Sequence, residues 1–503
     1  MPNVSHDRST VLATLLPASE VVGRLGRGFA NAGHELYLVG GSVRDALLGR
    51  LGNDLDFTTS ARPDETERLL RRLTDNVWDV GKDFGTISAK ADDASGRSWL
   101  IEITTFRADS YRSDSRKPDV AFGDTVTDDL IRRDFTVNAM ALDVSGGDPG
   151  TWRFVDPHGG LDDLDARLLR TPSSPEVSFG DDPLRMMRAA RFASQLGFEL
   201  APQTAAALPA MAQRIQIISA ERVRDELSKL LLTDSPRAGL NILVDSTLAD
   251  FVLPELPAMR LERDEHMRHK DVYEHSLTVL EQAIELEKRR DLVDGKPNPH
   301  HRSDLVVRLA ALLHDIGKPA TRALENGKVT FHHHDVVGAR LARKRLTALR
   351  YPKDVISAVT QLIALHLRFH GYAEGSSGGL SSGWTDSAVR RYVKDAGDQL
   401  EHLHILTRSD CTTRNIRKAE RLRRAYDELE FRIDELAKQE ELDAIRPDLD
   451  GNEIMRILGI GPGRDVGRAY QFLLDRRMDA GPLGPDRARD ELLSWWASEH
   501  RTE

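Results

Sequence analysis

Leu38-Val-Gly-Gly-Ser-Val-Arg-Asp-Ala-Leu-Leu-Gly49, followed by Asp54-Leu-Asp56, is the stretch on which the reading of this chain turns. Tyr37 to Val39 reads as a short buried strand running into Gly40 and Gly41. Two glycines after a strand let backbone N–H groups come close to a triphosphate, and a helix starting there favours an anion. Arg44 falls one turn into that helix, where its guanidinium can fork onto a phosphate. About a dozen residues on, Asp54 and Asp56 lie two apart in a second strand pattern, and side chains at i and i+2 of a strand share a face. Both carboxylates can therefore hold Mg²⁺, which takes oxygen ligands. Two such ions about 4 Å apart can activate an attacking 3′-hydroxyl and stabilise a leaving pyrophosphate. Alone, the Gly-Gly pair reads as a tight turn and the Asp-x-Asp as two exposed acids. Their order and spacing point to chemistry.

Outward from this stretch, the first 150 residues or so alternate short apolar runs with turns, and Leu100 to Thr105 has the alternation of a further strand. From about Pro183 the pattern turns helical and no β-rich block returns. Two loop-like stretches, Gly295 to Ser303 and Gly371 to Gly383, interrupt it. At 503 residues the chain has room for about three to five domains. Its longest apolar runs, such as Leu305 to Leu313, fall far short of the roughly 20 residues of a membrane span, and Met1 to Ala18 lacks the order of a secretory signal. The single cysteine, Cys411, excludes an internal disulfide and suits a reducing cytosol. A soluble, cytoplasmic protein is expected. The net charge of −10 neither supports nor excludes RNA binding, because local clusters such as Arg185 to Arg191 and Arg408 to Arg424 matter more than the sum.

Gly40-Gly-Ser-Val-Arg-Asp with Asp54-Leu-Asp-Phe resembles the nucleotidyltransferase motif of class II CCA-adding enzymes and bacterial poly(A) polymerases. The likeness continues in family order through Thr105-Phe-Arg, Tyr111-Arg-Ser-Asp-Ser-Arg-Lys-Pro and Arg132-Arg-Asp-Phe-Thr-Val-Asn-Ala-Met-Ala. It extends to Asp156-Pro-His-Gly-Gly-Leu-Asp-Asp-Leu, Asp181-Asp-Pro-Leu-Arg-Met-Met-Arg-Ala-Ala-Arg-Phe and Ser219-Ala-Glu-Arg-Val-Arg-Asp-Glu-Leu. The resemblance implies that Asp54 and Asp56 bind Mg²⁺ and that Gly41, Arg44 and Arg133 contact the nucleotide. It places Asp134 near the ribose and brings Arg188 and Arg191 to the nucleotide. Asp182 and Arg185, three apart at a helix start, are neighbours on one face. As the resemblance implies, this acceptor and forked donor read the Watson–Crick edges of C and A. A cap with a local ion pair would give the same pattern. Each step of three falls about 60° short of a full turn, so Arg191 lies roughly opposite Asp182. One departure is Asp181, where family members usually carry Glu.

A second constellation lies between residues 265 and 415. His275 sits on a helical pattern, His314-Asp315 ends an apolar run, His334 and His366 follow, and Asp410 closes the series. Imidazole and carboxylate suit a transition metal or a mixed metal centre. The cluster resembles the HD superfamily of metal-dependent phosphohydrolases. His275, His314, Asp315 and Asp410 match its minimal ligand set, while His334 and His366 fit a second metal of unspecified identity. A degenerate HD fold that only packs is the alternative. Leu458-Gly-Ile-Gly-Pro-Gly-Arg464 reads as a turn between helices, and such a turn can present N–H groups to RNA phosphates.

The expected fold is α+β: a small nucleotidyltransferase head, polymerase-beta-like by the resemblance, followed by a long all-helical body that includes an HD domain. The expected division is a helical lead-in over 1–34, the head over 35–170 and a nucleotide-selecting, RNA-binding region over 171–262. An HD region over 263–415 and a helical RNA-binding tail over 416–503 complete it. The resemblance implies addition of CCA to the 3′ end of tRNA from CTP and ATP. Addition of poly(A) to RNA, or HD phosphohydrolysis as the main activity, are the alternatives. Tyr111 to Pro118, which looks like the loop that switches CCA enzymes from C to A, and Gly81-Lys-Asp-Phe-Gly favour CCA addition.

Overall fold

The computed structural model describes residues 15–79, 81–107, 123–260, 271–293, 296–298, 301–326, 328–369, 385–412, 415–440 and 446–499. The expected loops at Tyr111 to Pro118 and Gly371 to Gly383 lie outside them. Two compact units are present, Met1–Pro254 and Glu255–Glu503. Among the described residues no helix is long and apolar enough to cross a membrane.

The first unit is built on a seven-stranded mixed sheet. Its strands are β1 (Leu36–Val39), β2 (Asp54–Thr59), β3 (Asn76–Trp78), β4 (Thr86–Asp92), β5 (Ser98–Thr105), β6 (Ala141–Asp143) and β7 (Arg153–Val155). Their order is β3-β4-β5-β2-β1-β6-β7. The pair β2–β5 is parallel and the other pairings are antiparallel. Period-two alternation gives the sheet two unlike faces. Leu55 and Phe57 on β2, Ile101 and Ile103 on β5, and Ile87 and Ala89 on β4 are buried together in the main core. The opposite face carries Asp54 and Asp56 on β2, Glu102 on β5 and Ser88 and Lys90 on β4, aligned by the register Asp56↔Glu102↔Ser88. A one-residue slip would bury these acids and expose Phe57 and Ile101. Each large apolar side chain so buried is worth about 1.5–3 kcal/mol, which fixes the register.

Helices follow the sheet. Leu184–Leu196 packs against Ala220–Leu231 and Arg237–Asp245, and its C-terminus stops at Gly197 in the left-handed region, as expected of a glycine cap.

Among its described residues the second unit is helical apart from two short hairpins, Leu292–Val293 with Lys296–Pro297 and Ala323–Glu325 with Lys328–Thr330. The sequence pattern gave no sign of either, because pairs of two or three residues are too short for alternation to register. Its last three helices, Gly451–Leu458, Arg464–Ala480 and Pro485–Glu499, close around Leu449, Ile454, Leu473 and Leu492. The first of them starts on a capping box between Asp450 and Glu453.

Candidate active site and metal centre

The turn after β1 sets the first site. Gly40 has φ 67° and caps the helix Gly41–Leu47. A Cβ there would come within 2.7 Å of Arg133 Nη1, so the glycine answers both the backbone conformation and the close approach of a guanidinium. Ser42 fastens the turn to β2: its Oγ donates to Asp54 O at 3.3 Å and accepts from Asp56 N at 2.9 Å. Arg44 donates from Nη1 to Asn138 Oδ1 at 2.6 Å and pairs with Asp45 at 2.8 Å. Arg133 is held by Asp129 at 2.9 Å.

Burial pushes the Asp56 carboxyl up, and Glu102 and Asp54 push it further, against Arg133 and Arg44. A site where acids crowd one another this way suits a cation. The donor set is all oxygen, which fits Mg²⁺. The three carboxylates are not drawn into a closed cluster: no set of one oxygen from each of Asp54, Asp56 and Glu102 falls within 4.8 Å. Glu102 was not singled out from the sequence, although the alternation Leu100-Ile-Glu-Ile places it on the strand face opposite Ile101 and Ile103.

A chain of hydrogen bonds leads from Arg44 to the helix Leu184–Leu196. Asn138 Nδ2 donates to Asp134 Oδ1 at 2.9 Å, and Phe135 N donates to the same oxygen at 2.8 Å. Arg188 reaches Asp134 Oδ2 with Nε at 2.7 Å and Nη2 at 2.6 Å. Burial alone would raise the Asp134 pKa, but Arg188 and Asn138 hold it well below the usual carboxylate range. Three hydrogen bonds and the charge of Arg188 thus converge on Asp134, which ties Arg188 and Asn138 together. Arg191 is buried and faces away, donating to Glu226 at 2.6 Å and Gln195 at 2.7 Å. Arg191, expected at the nucleotide, is thus engaged by Glu226 and Gln195 between the helices. Asp182 itself stands before the helix in extended backbone, so the expected placement of Asp182 and Arg185 as neighbours on one helix face does not hold.

The side chains of Asp182 and Arg185 are not bonded to each other, although Arg185 N donates to Asp182 O at 3.0 Å. Asp182 accepts from Leu184 N at 3.1 Å and from Arg222 Nη2 at 2.8 Å. Arg185 donates from Nη1 to Ser178 O at 3.2 Å and Ser178 Oγ at 2.9 Å, and from Nη2 to Arg132 O. Of its five N–H donors, Nε–H and one on Nη2 stay available to a ligand. Asn138, Arg222 and Glu226 went unremarked in the sequence, though all three lie inside motifs quoted above.

The second unit gathers all six predicted ligands. They form two groups, His275, His314 and Asp410, and Asp315, His334 and His366, each with ligand atoms within 4.8 Å of one another. Asp315 joins them, its Oδ2 3.2 Å from His314 Nε2 and its Oδ1 3.3 Å from His334 Nε2. Asp410 contacts His275 Nε2 at 2.9 Å. Three rings turn Nδ1 to a carbonyl three residues back: His314 to Ala311 at 2.9 Å, His334 to Phe331 at 2.7 Å and His366 to Ile363 at 2.6 Å. A carbonyl only accepts, so each neutral ring carries its proton on Nδ1 and aims Nε2 inward. This is the tautomer a metal-bound histidine requires. His334 Nε2 and His366 Nε2 stand 3.3 Å apart, and burial pushes His366 down to about 4, keeping it neutral. His314 Nε2 and Asp315 Oδ1 are buried without a well-formed hydrogen bond. Facing lone pairs and orphaned polar atoms are what a divalent metal would satisfy, and the N/O donor set suits a transition metal. Lys318 adds a cation 2.6 Å from Asp315.

Residues 36–170 match the Poly A polymerase head domain, 197–259 the probable RNA and SrmB-binding site of polymerase A, and 272–415 the HD domain. The A-adding tRNA nucleotidyltransferase of Deinococcus radiodurans is 34 % identical over 473 residues, covering 92 % of this chain and 95 % of the relative. The chain belongs to the tRNA nucleotidyltransferase family. Among the family's CCA-adding enzymes, that of Bacillus subtilis is 38 % identical over 252 residues, 50 % of this chain and 59 % of its own length. The solved structure of the Bacillus stearothermophilus CCA-adding enzyme in complex with CTP aligns over 97 % of this chain and all of the other, with a TM-score of 0.61 and 24 % identity. At that identity the likeness speaks for the fold: a nucleotidyltransferase head followed by a helical body with an HD domain.

Proposed function

We propose that this tRNA nucleotidyltransferase adds CCA to the 3′ end of tRNA, taking CTP and ATP in turn and releasing pyrophosphate. The observation that carries the reading is the Asp54, Asp56 and Glu102 face below the Gly40 turn. The Arg44–Asn138–Asp134–Arg188 chain joins that turn to the helix bearing Arg185. Gly41, Arg44 and Arg133 receive the triphosphate. Asp134 keeps Arg188 and Asn138 in place, and Arg191 with Glu226 holds the helix behind them. The tRNA 3′-hydroxyl attacks the α-phosphorus, a new ester bond forms, and the bond to the β-phosphate oxygen breaks. Mg²⁺ held by Asp54 and Asp56, with Glu102 beside them, would neutralise charge on the departing pyrophosphate and favour ionisation of the 3′-hydroxyl. Asp182 accepts from the exocyclic amine that C and A both carry, and Arg185 donates to the base edge. In this reading residues 171–262 and 416–503 bind RNA, and the reaction is cytoplasmic.

The nearly full-length match to the Deinococcus radiodurans enzyme favours a second reading, addition of the terminal A alone. Two substrates separate them: tRNA ending at its discriminator base and tRNA ending in CC, each offered CTP or ATP singly. CCA addition predicts CTP incorporation into the first and ATP into the second. ATP incorporation into the second alone would establish the narrower activity.

The His and Asp centre of the second unit supports a separate metal-dependent phosphohydrolase activity. His275, His314, Asp315, His334, His366 and Asp410 would hold the metal, which supplies hydroxide near neutral pH. Lys318, beside Asp315, would hold a substrate phosphate.

A further inference from the structure

Ser219-Ala-Glu-Arg222 opens the helix Ala220–Leu231, and its arginine has no part in the chemistry derived so far. Ser219 caps the helix, accepting from Arg222 N at 3.4 Å. The side chain of Arg222 leaves the first turn and donates to Asp182 Oδ2 at 2.8 Å, with 49 % of the arginine and 15 % of the aspartate side chain exposed. The other oxygen of Asp182 accepts from Leu184 N at 3.1 Å. The carboxylate is thus fixed at both oxygens, by its own helix start and by a guanidinium from a neighbouring helix. About half of its acceptor positions stay open. Arg188 and Arg191 meet buried acids in the framework. Arg222 instead reaches the one carboxylate assigned to the base, from a half-exposed position.

We propose that Arg222 is a positioning residue for base choice: it holds the Asp182 carboxylate in the orientation that accepts the amine of an incoming cytosine or adenine. This rests on Asp182 reading the base. Cytosine and adenine carry an amino group where uracil and guanine carry a carbonyl oxygen. A carboxylate held still gains a charge-assisted hydrogen bond from the amine and opposes an acceptor to the carbonyl. A carboxylate free to swing turns away from the carbonyl at little cost, so wrong nucleotides enter. Arg222 therefore contributes selectivity without touching the nucleotide.

The test uses the full-length protein and Arg222→Met, Arg222→Lys, Asp182→Asn and the Arg222→Met/Asp182→Asn pair. For each, kcat/KM is measured for CTP and UTP on tRNA ending at the discriminator, and for ATP and GTP on tRNA ending in CC. Ratios are independent of the fraction of folded enzyme. Arg222→Met should lower both ratios about tenfold, the scale of one charge-assisted hydrogen bond, by raising the KM of the correct nucleotide and lowering that of the wrong one. Arg222→Lys should recover most of the loss, and the double variant should be no less selective than Asp182→Asn alone. Unchanged ratios in Arg222→Met, with altered ratios in Asp182→Asn, would overturn the positioning role. So would a rise only in the KM for tRNA, equal for all four nucleotides, which would make Arg222 a phosphate contact. Unchanged ratios in Asp182→Asn would remove the base-reading role and this inference with it.

Discussion

Replacing Glu226 with Leu removes the shared acid of two guanidinium groups. Glu226 is 5 % exposed at its side chain, 2.6 Å from Arg191 Nε and 3.6 Å from Arg188 Nη1. Arg188 keeps Asp134 at 2.6 Å, but Arg191, 10 % exposed, keeps only uncharged partners, the amide of Gln195 and the ring of Phe192 at 4.0 Å. Breaking a buried pair from one side costs about 3–5 kcal/mol. For a unit of this size that lowers Tm by about 6–20 °C, at about 2–4 °C per kcal/mol. Replacing both partners, Glu226→Leu with Arg191→Leu, removes the stranded charge and should recover most of the loss, since apolar replacement of a whole buried pair is close to neutral. Calorimetry or thermal circular dichroism of the four proteins in the cycle gives the coupling. A Glu226→Leu protein within about 1 kcal/mol of wild type would refute the buried-pair argument. The double variant also decides the role of Arg191. If Arg191 belongs to the framework, the folded double variant should keep CTP addition within about tenfold. A larger loss with full stability would return Arg191 to the nucleotide, as the family resemblance implies.

Further predictions follow from the two sites and from one surface pair. Asp54→Ala or Asp56→Ala should abolish CTP incorporation while metal content of the HD centre stays unchanged; activity within tenfold of wild type would place the catalytic acids elsewhere. Gly40→Ala puts a Cβ 2.7 Å from Arg133 Nη1 at φ 67°, and should cost about 1–3 kcal/mol from backbone strain alone and raise the KM for CTP and ATP alike. His314→Ala/Asp315→Ala should empty the second centre by elemental analysis and end any cleavage of cyclic or linear phosphate esters tested with Ni²⁺, Mn²⁺, Co²⁺ or Mg²⁺, while CTP addition survives. The hydrogen bond to Asp304 raises the His402 pKa. Its stabilisation is therefore full below the ordinary histidine pKa and fades as pH rises through the raised value. His402→Gln should cost under about 1 kcal/mol at pH 5.5, since Asp304 is about one-third exposed, and the difference should shrink toward alkaline pH.

Much of the first site was legible because strand periodicity and a glycine turn are local signals. Asp54 and Asp56 share a face for the same reason that Leu55 and Phe57 share the core. Glu102 was harder to find, since only the β2–β5 pairing, between segments more than 40 residues apart, brings it beside Asp56. The partners of Asp182, Arg185 and Arg191 were not legible from spacing. Helical arithmetic put Asp182 on the helix, whereas it stands just before it in extended backbone, and it could not name the Glu226 that receives Arg191 or the Arg222 that meets Asp182. In the second unit the adjacent pair His314-Asp315 signalled a metal centre. The convergence of Asp410, with little motif around it, became plain only when its helix brought it to His275.

The most direct measurement of the central claim is to sequence the 3′ ends made when wild-type enzyme meets tRNA ending at its discriminator base with all four nucleoside triphosphates at equal concentration. Products ending in C, CC and finally CCA, then arrest, are expected, with U and G absent beyond trace levels. Homopolymeric A tails, or no extension of this tRNA while tRNA ending in CC gains a single A, would contradict the claim.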